Sequence, residues 1–147
     1  MFLAGAVGCI VAGIFAERIG RTSVTSWAMG ISGGTALFIG FLPVEWNLVI
    51  AIIAMVWGAS VVADSAQFST ALTELSDDNY RGTALAFQTG IGFLLTIVPI
   101  RFLHVMADAV GWGPAFAVLA IGPALGIAAM LRLRAMPEAE AMALGRR

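Results

Sequence analysis

Five stretches of this sequence are rich in apolar residues and come near the length that a membrane-crossing helix needs. They cover residues 1–16, 23–42, 46–75, 82–105 and 114–133. A helix crosses the roughly 30 Å hydrocarbon core of a bilayer with about 20 residues. Strands are a poor alternative, because polar and apolar residues do not alternate and an open sheet in lipid leaves backbone groups unpaired. The pattern therefore predicts an all-α fold, a polytopic bundle of transmembrane helices with about five spans.

The composition favours a bilayer over water as the surroundings of these helices. Hydrophobic residues make up 60% of the 147-residue chain and charged residues 12%, whereas soluble domains contain about 45–50% apolar and about 25% charged residues. A soluble globule of this size still exposes roughly a third of its chain's surface, so we expect the lipid bilayer to be the main partner. The net charge of -1 gives no indication of nucleic-acid binding.

The positions of the arginines predict how the chain is oriented. If the segment around Arg18 and Arg21 faces the cytoplasm, seven of the eight arginines lie on that side. Arg101 is the exception, near the outer end of the fourth span, where a long side chain can reach the headgroups. The positive-inside rule then predicts a cell (inner) membrane protein with its N-terminus outside and its C-terminus in the cytoplasm. Residues 135–147 are expected to form a cytoplasmic tail, either loosely ordered or an interfacial helical end.

Small residues recur at four-residue spacing in several spans and predict faces where helices pack closely. These rows are Ala4, Gly8 and Ala12; Gly30 and Gly34; Gly82, Ala86 and Gly90; and Gly122 and Gly126. Pro99 and Pro123 lie within predicted spans and are expected to bend them, because proline cannot donate the helical hydrogen bond. The lone Cys9 is expected to be a small packing residue.

A short charged loop joins the first two predicted spans. It contains Gly13, Glu17, Arg18, Gly20 and Arg21. The two glycines predict a close helix approach and a turn, and the three charges predict pairing with each other or with neighbouring helix ends. The loop is therefore interpreted as a tight helical hairpin.

This loop resembles the signature of the major facilitator superfamily, found between the second and third helices of each half of those transporters. The signature is a glycine, three residues, an acid, an arginine, any residue, a glycine and an arginine. Glu17 stands where aspartate is usual, and Thr22 where another basic residue often follows. The Arg81-Gly82 turn after an acidic cluster also looks like the connection between the tenth and eleventh helices. By this register the five spans resemble helices eight to twelve of a twelve-helix fold.

The resemblance implies roles for the charged residues. In the family, the second arginine of the signature, here Arg21, pairs with a carboxylate at the cytoplasmic end of the fourth helix of the same half, and Glu74 stands at that position. The acid, here Glu17, points at a helix N-terminus in the opposite half, which these five spans do not include. The expected gating residues are Gly13, Glu17, Arg18, Gly20, Arg21, Glu74 and Arg81.

Asp64 is the candidate for binding substrate or protons, because a carboxylate within an apolar span is costly and usually faces a cavity or a partner. At 100° per residue, five residues share its face and are candidates to line a translocation path: Trp57, Ser60, Gln67, Phe68 and Ala71. The alternative is that Asp64 lies near the cytoplasmic end of its helix, hydrated or bonded to Ser60 or Gln67. Gln88 on the fourth span is a further candidate, although single amides are common in packed membrane helices.

Catalytic and metal-binding patterns are absent from the sequence. A single histidine, His104, and a single cysteine, Cys9, supply no metal-ligand set of the usual kind. No arrangement of Ser, His and Asp and no glycine-rich phosphate loop is present. We therefore expect no enzymatic activity, no cofactor and no metal.

The resulting hypothesis is the C-terminal fragment of a secondary transporter that moves a small molecule by alternating access. Complete carriers bind substrate between two halves near the membrane midplane. We therefore expect no transport by this chain without the missing N-terminal half or a partner chain, and the short first span at Met1 favours a truncated carrier. The alternatives are a small accessory or scaffold protein that binds partner helices, and a nonfunctional product of a split gene.

Overall fold

The computed structural model describes residues 2–43, 45–137, 139 and 142, with backbone alone for residues 2–4. Within these ranges the chain forms six α-helices and no strand. The helices are α1 (Phe2–Ile19), α2 (Arg21–Ile39), α3 (Asn47–Leu75), α4 (Arg81–Val110), α5 (Trp112–Leu119) and α6 (Ile121–Arg134). The prediction of an all-helical chain is confirmed.

Three helical segments are long and apolar enough to cross a membrane. They are α3, α4 and the stretch Trp112–Arg134, which contains α5 and α6. The two helices at the N-terminal end have 18 and 19 residues, and their crossing of the bilayer remains a prediction. The helices run alternately up and down, so one end of the bundle holds Gly20, the end of α3 and the start of α4. We call this the hinge end.

Helix boundaries differ from the predicted ones in two places. Helix α1 continues through Glu17 and Arg18 to Ile19, so the predicted charged loop reduces to Gly20 alone. Helix α4 extends to Val110 rather than to 105, and Gly111 ends it with a φ of 86°. A glycine with positive φ directly after the last helical residue commonly ends a helix. The predicted end at residue 105 rests on the apolar pattern alone and therefore lies before Gly111.

The last predicted span is interrupted rather than continuous. Ala120 separates α5 from α6, three residues before Pro123. Proline removes one helical hydrogen bond and its ring crowds the carbonyl four residues earlier, at Leu119, which explains a break at this point. Pro99, by contrast, lies inside an unbroken α4.

The interior is built mostly from alanines, while the large apolar side chains face outward. Ala12, Ala16, Val24 and Ala63 form one buried cluster between α1, α2 and α3. Outside, bulky side chains are largely exposed, for example Phe87, Leu94 and Val98 on α4, and no residue of α4 is buried. Small residues inside and large ones outside are what close helix packing in lipid requires.

Helix α3 is the centre of the packing. It packs along both α1 and α2, and α2 also packs against α5 and α6. Helix α4 is attached to α3 and α5. At the end opposite the hinge end, aromatic rings link these elements: Trp57 contacts Phe116 edge-on, Phe116 contacts Trp112, and Trp112 contacts His104.

Only some of the predicted small-residue rows are packing faces. At Gly8 an added Cβ would lie 2.8 Å from the carbonyl oxygen of Ala59, and at Gly126 it would meet the Met29 side chain. The rows at Gly30 and Gly34 and at Gly82 and Gly90 are not packing faces among the described residues, because no described residue lies within 4 Å of a Cβ built at any of these four positions, nor at Gly122. Helix α2 instead uses Gly33, against Pro123 of α6.

Two residues of the C-terminal tail are packed, which corrects the expectation of a loosely ordered segment at these positions. Ala139 is 0% exposed and Met142 is 1% exposed, and they form a cluster with Ala71 of α3 and the partly buried Leu133 of α6. The remainder of the tail beyond residue 137 lies outside the described residues.

We predict that Gly8→Ala weakens the α1–α3 contact, because the new methyl group overlaps the Ala59 carbonyl. Overpacking of this kind costs about 1–3 kcal/mol, so the unfolding temperature of the purified chain in detergent should fall. Gly30→Ala is the matched control, since its methyl group meets nothing and alanine favours a helix by about 0.5–1 kcal/mol over glycine. Equal unfolding temperatures for the two variants would contradict the observed crossing.

Candidate functional site

Gly20 forms the hinge between α1 and α2. Its φ of 97° and ψ of 141° lie in a region that side chains with a Cβ disfavour. The turn stays hydrogen-bonded, because the Gly20 N–H donates to Ala16 and the Gly20 carbonyl accepts from Val24. This conformation lets α2 begin one residue after α1 ends, and it places Arg21 in the first turn of α2.

Arg21 is bound by two residues of α3. Its Nε donates to Glu74 Oε2 at 2.9 Å and its Nη2 to Glu74 Oε1 at 2.5 Å, while Nη1 donates to Gln67 Oε1 at 2.7 Å. The guanidinium and carboxylate therefore form a bidentate pair, the geometry that gives charge-assisted hydrogen bonds both strength and direction. The pairing that the family resemblance implies for Arg21 and Glu74 is present.

The arrangement of the two acceptors follows from helix geometry. Gln67 and Glu74 are seven residues apart, which is close to two turns, so they lie on one face of α3. Both Arg21 and Gln67 are buried, and the pair with Glu74 has side-chain exposures of 9% and 27%. A cation removed from water in this way is stable only if its donors are matched. We call these three residues the Arg21 clamp.

Arg81 holds the same end of α3 from the other side. Its Nε donates to the carbonyl oxygen of Thr73 at 3.0 Å, and its Nη2 pairs with Asp78 at 2.6 Å. The carbonyl groups of a helix's last turn lack helical partners and attract cations, so Arg81 caps α3 while it starts α4. The Arg81–Asp78 pair is exposed, at 41% and 87% of the two side chains.

The other signature residues are less engaged. Glu17 and Arg18 are exposed on the last turn of α1. No described residue lies within 4 Å of a Cβ built on Gly13, so the described part of the chain contains no close helix approach at this glycine. Thr22, next to Arg21, is buried, and its hydroxyl oxygen has no hydrogen-bond partner among the described residues.

Three polar side chains of the predicted stripe on α3 make hydrogen bonds within the bundle. Trp57 donates its indole N–H to Ser32 of α2 at 3.1 Å, and Gln67 belongs to the Arg21 clamp. Ser60 is buried and donates to the carbonyl of Val56 in its own helix. The polar groups of these three side chains are therefore occupied by structural contacts.

Asp64 and Gln88 are the two candidates that the structure leaves less occupied. Asp64 is partly buried and accepts a long hydrogen bond from the adjacent Ser65 hydroxyl at 3.4 Å. Gln88, on α4, is partly buried as well, and its buried Oε1 has no hydrogen-bond partner among the described residues. Gln88 lines a groove with Phe68 and Leu72, and Asp64 is not among the residues that line this groove.

The chemistry available at the Arg21 clamp is reversible ion pairing. Among the described residues, no three His, Cys, Asp or Glu side chains come together as metal ligands. In the clamp, the Arg21 guanidinium is shared between a charged acceptor, the Glu74 carboxylate, and a neutral one, the Gln67 amide oxygen.

The membership of Gln67 in the clamp is the part that sequence reasoning missed. The sequence pattern predicts a place for Gln67 on the translocation path, because it shares a helical face with Asp64. The signal that identifies its role is its seven-residue spacing from Glu74, which places an amide and a carboxylate in one line facing the same arginine.

We predict that Glu74→Ala destabilises the fold much more than Asp78→Ala. The first change leaves the buried Arg21 guanidinium without its counter-ion, which costs about 3–5 kcal/mol for a fully buried pair and somewhat less at this partly open position. The second removes an exposed pair worth about 0–1 kcal/mol. Urea or thermal unfolding in detergent checks the ranking, and equal losses for the two variants would show that the clamp carries no special weight.

The chain was compared with models of protein families, with curated proteins and with solved structures, and none of the three comparisons found a match.

Proposed function

We propose that this chain is the C-terminal part of a secondary transporter of the major facilitator type, and that the Arg21 clamp closes its cytoplasmic side. The observation that carries the proposal is the bidentate pair between Arg21 and Glu74. It joins the last residue of the signature-like segment to the end of α3, the partner that the family resemblance implies.

The clamp has the physical properties that a gate needs. Alternating access requires contacts that form in one state and break in another. Arg21 follows the one-residue hinge between α1 and α2 and binds Glu74 at the end of α3. A rotation of α2 against α3 therefore separates the two charges. Because Glu74 is partly exposed, water can replace its hydrogen bonds when the clamp opens, which lowers the cost of breaking it.

The proposed orientation places the hinge end in the cytoplasm of a cell whose inner membrane holds the protein. Arg18, Arg21, Arg81, Arg132 and Arg134 all lie at or near this end of their helices, as the positive-inside rule favours. In this orientation all five spans cross the bilayer, with α5 and α6 as one interrupted span.

The proposed carrier has a second half that this chain does not supply. Helix α4 supports this view, because its thirty residues include none that are buried, and it is free to contact further helices as well as lipid. The substrate is a small molecule, and Asp64 is the residue of this chain proposed to face it. The same unburied α4 favours a second candidate, an accessory membrane protein that binds the helices of a partner.

A labelling experiment tests the clamp as a gate. In a Cys9→Ala background, Thr22→Cys places the only thiol in a buried position beside Arg21. We expect Glu74→Ala to raise its rate of reaction with a membrane-impermeant maleimide by at least about fivefold, since losing the partner of a largely buried cation is worth more than 1 kcal/mol of local opening. Asp78→Ala, which breaks an exposed pair at the same end, should leave the rate unchanged.

Two outcomes of that experiment would count against the proposal. An unchanged labelling rate in Glu74→Ala would mean that the clamp does not control access at this face. The second candidate, an accessory membrane protein, would then be favoured. Labelling in intact cells, but not when the reagent is added outside inverted vesicles, where it reaches only the cytoplasmic face, would place the hinge end outside the cell.

The fragment interpretation makes a separate prediction about transport. The purified chain, reconstituted alone in liposomes, should take up none of a panel of labelled sugars, amino acids and organic cations above the level of empty liposomes, with or without a pH gradient. A carrier site is formed between two halves, and one wall cannot alternate access. Uptake by the chain alone would contradict the proposal that half of the carrier is missing.

A further inference from the structure

The C-terminal tail contributes one of the most completely buried side chains among the described residues. Met142 and Thr25 are the two largest side chains that are fully buried, although Met142 lies beyond the end of α6 at Arg134. Ala139 of the same tail is 0% exposed. Most other buried apolar residues of the bundle are alanines. A fully buried methionine makes many apolar contacts, so the tail has a defined docking position.

Backbone hydrogen bonds fix the tail relative to α6. The Met136 N–H donates to the carbonyl of Leu133, in the last turn of α6, at 2.9 Å. The Ala139 N–H donates to Met136 and the Met142 N–H to Ala139, both at 3.2 Å. Each of these bonds closes a turn of the 3₁₀ type. The tail therefore continues from α6 as linked turns, and the position of Met142 follows that of α6.

The tail docks on α3 beside the Arg21 clamp. The two buried tail residues form a cluster with Ala71 of α3 and the partly buried Leu133 of α6. Ala71 lies between Gln67 and Glu74 in the sequence. At 100° per residue it is about 40° from the first and about 60° from the second around the helix. The docking position on α3 is therefore next to both acceptors of the clamp.

The tail connects two helices that border a groove. The helices that pack closely along α6 are α2 and α5. A groove of about 290 Å³ lies between α3, α4 and α6, and Ala71 and Leu133 are both among its lining residues. These are the two residues on which the tail packs. The tail therefore bridges from the end of α6 to α3 at the edge of this groove.

This bridge acts in parallel with the Arg21 clamp. Helix α2 packs against α6, and the fit is close. A Cβ built at Gly33 of α2 would lie 3.1 Å from the Pro123 side chain, and one built at Gly126 of α6 would meet Met29 at 2.7 Å. Closely packed surfaces of this kind move as a unit. The clamp links α2 of this unit to α3, and the tail links α6 of the same unit to α3.

We propose that the described part of the tail, residues 135–137, 139 and 142, is a strap that holds the hinge end closed. While Met142 is packed against Ala71, α6 and the α2 packed on it are held to α3, and the Arg21 clamp stays in register. Release of Met142 leaves the closure to the clamp. The consequence for transport rests on the proposed function of the clamp as a gate, whereas the closure itself is measured on the full-length chain.

Labelling of a buried thiol at the hinge end tests the strap. Thr22→Cys in a Cys9→Ala background serves as the reporter, since Thr22 is 2% exposed and lies next to Arg21. In the purified chain in detergent, we expect Met142→Ser to raise the rate of reaction with a water-soluble maleimide by at least about fivefold, because the packing of a buried methionine is lost. An unchanged rate in Met142→Ser would overturn the proposal.

Met136→Ser is the matched control for the loss of a methionine from the tail. The Met136 side chain is 39% exposed, whereas that of Met142 is 1% exposed. We expect Met136→Ser to leave the rate of the Thr22→Cys thiol unchanged. An equal rise in both methionine variants would mean that the buried contact with α3 is not what closes the hinge end, and it would contradict the strap.

A second reporter separates local opening from loss of the fold. Ala36 is 1% exposed and lies near the other end of α2, and Ala36→Cys replaces Thr22→Cys as the only thiol. Met142→Ser should leave the labelling of this thiol unchanged. Equal acceleration at both thiols would mean that the tail stabilises the whole bundle, which contradicts a strap that acts at the hinge end.

Comparison with Glu74→Ala distinguishes the strap from the gate. A faster rate in Glu74→Ala with an unchanged rate in Met142→Ser refutes the strap and leaves the gate supported. The reverse result supports the strap and contradicts the gate. If both single variants react faster, the combined variant should react faster than either, since the two links act in parallel. A combined rate no higher than the larger single rate would contradict two parallel links.

Discussion

The buried guanidinium of Arg21 is the interaction on which the arrangement of the helices depends. Its donors reach two turns of α3, at Gln67 and Glu74, so α2 cannot slide along α3 by one turn without leaving a buried charge unmatched. That penalty is several kcal/mol, larger than any single contact between the alanine-lined surfaces. Since α2 also packs against α5 and α6, the register set by Arg21 passes to the rest of the bundle.

The end of α3 is held from two sides by contacts of different strength. Helix α2 reaches it through the Glu74 side chain, and α4 reaches it through the neighbouring Thr73 carbonyl, which accepts from Arg81. The hydrogen bond from Arg81 is accepted by a backbone carbonyl of α3, so this contact moves with that helix. The contact between Arg21 and Glu74 depends on one carboxylate. The Arg21 clamp therefore depends on α2 staying in register with α3, whereas the hydrogen bond from Arg81 to Thr73 does not involve α2.

The sequence predicts the helices well and their contacts only in part. Long apolar runs allow little besides helices in lipid, and the Arg21–Glu74 pair followed from a family resemblance. The periodicity of α3 places Trp57, Ser60 and Gln67 on one face of the helix. Periodicity does not show which helix packs against that face, so the contacts with α2 could not be predicted. The same gap explains the small-residue rows that are not packing faces among the described residues: Gly30 and Gly34 have the expected spacing, but the helix turns Gly33 toward its neighbour. The packing of Met142 on Ala71 joins residues 71 positions apart, beyond any local pattern.

Polar groups without partners are informative in this chain because most of the others are satisfied within their own helix. Hydroxyls on several helices donate to the carbonyl four residues earlier, as Thr25, Ser60 and Thr70 do. Against that background, two buried atoms remain unpaired among the described residues, in Thr22 and Gln88. Thr22 adjoins the Arg21 clamp and Gln88 lies about two turns from Arg81 at the start of α4, so both belong to the hinge half of the bundle. A buried polar group needs a partner, and the hinge half thus combines the unpaired polar atoms with most of the arginines of the described helices.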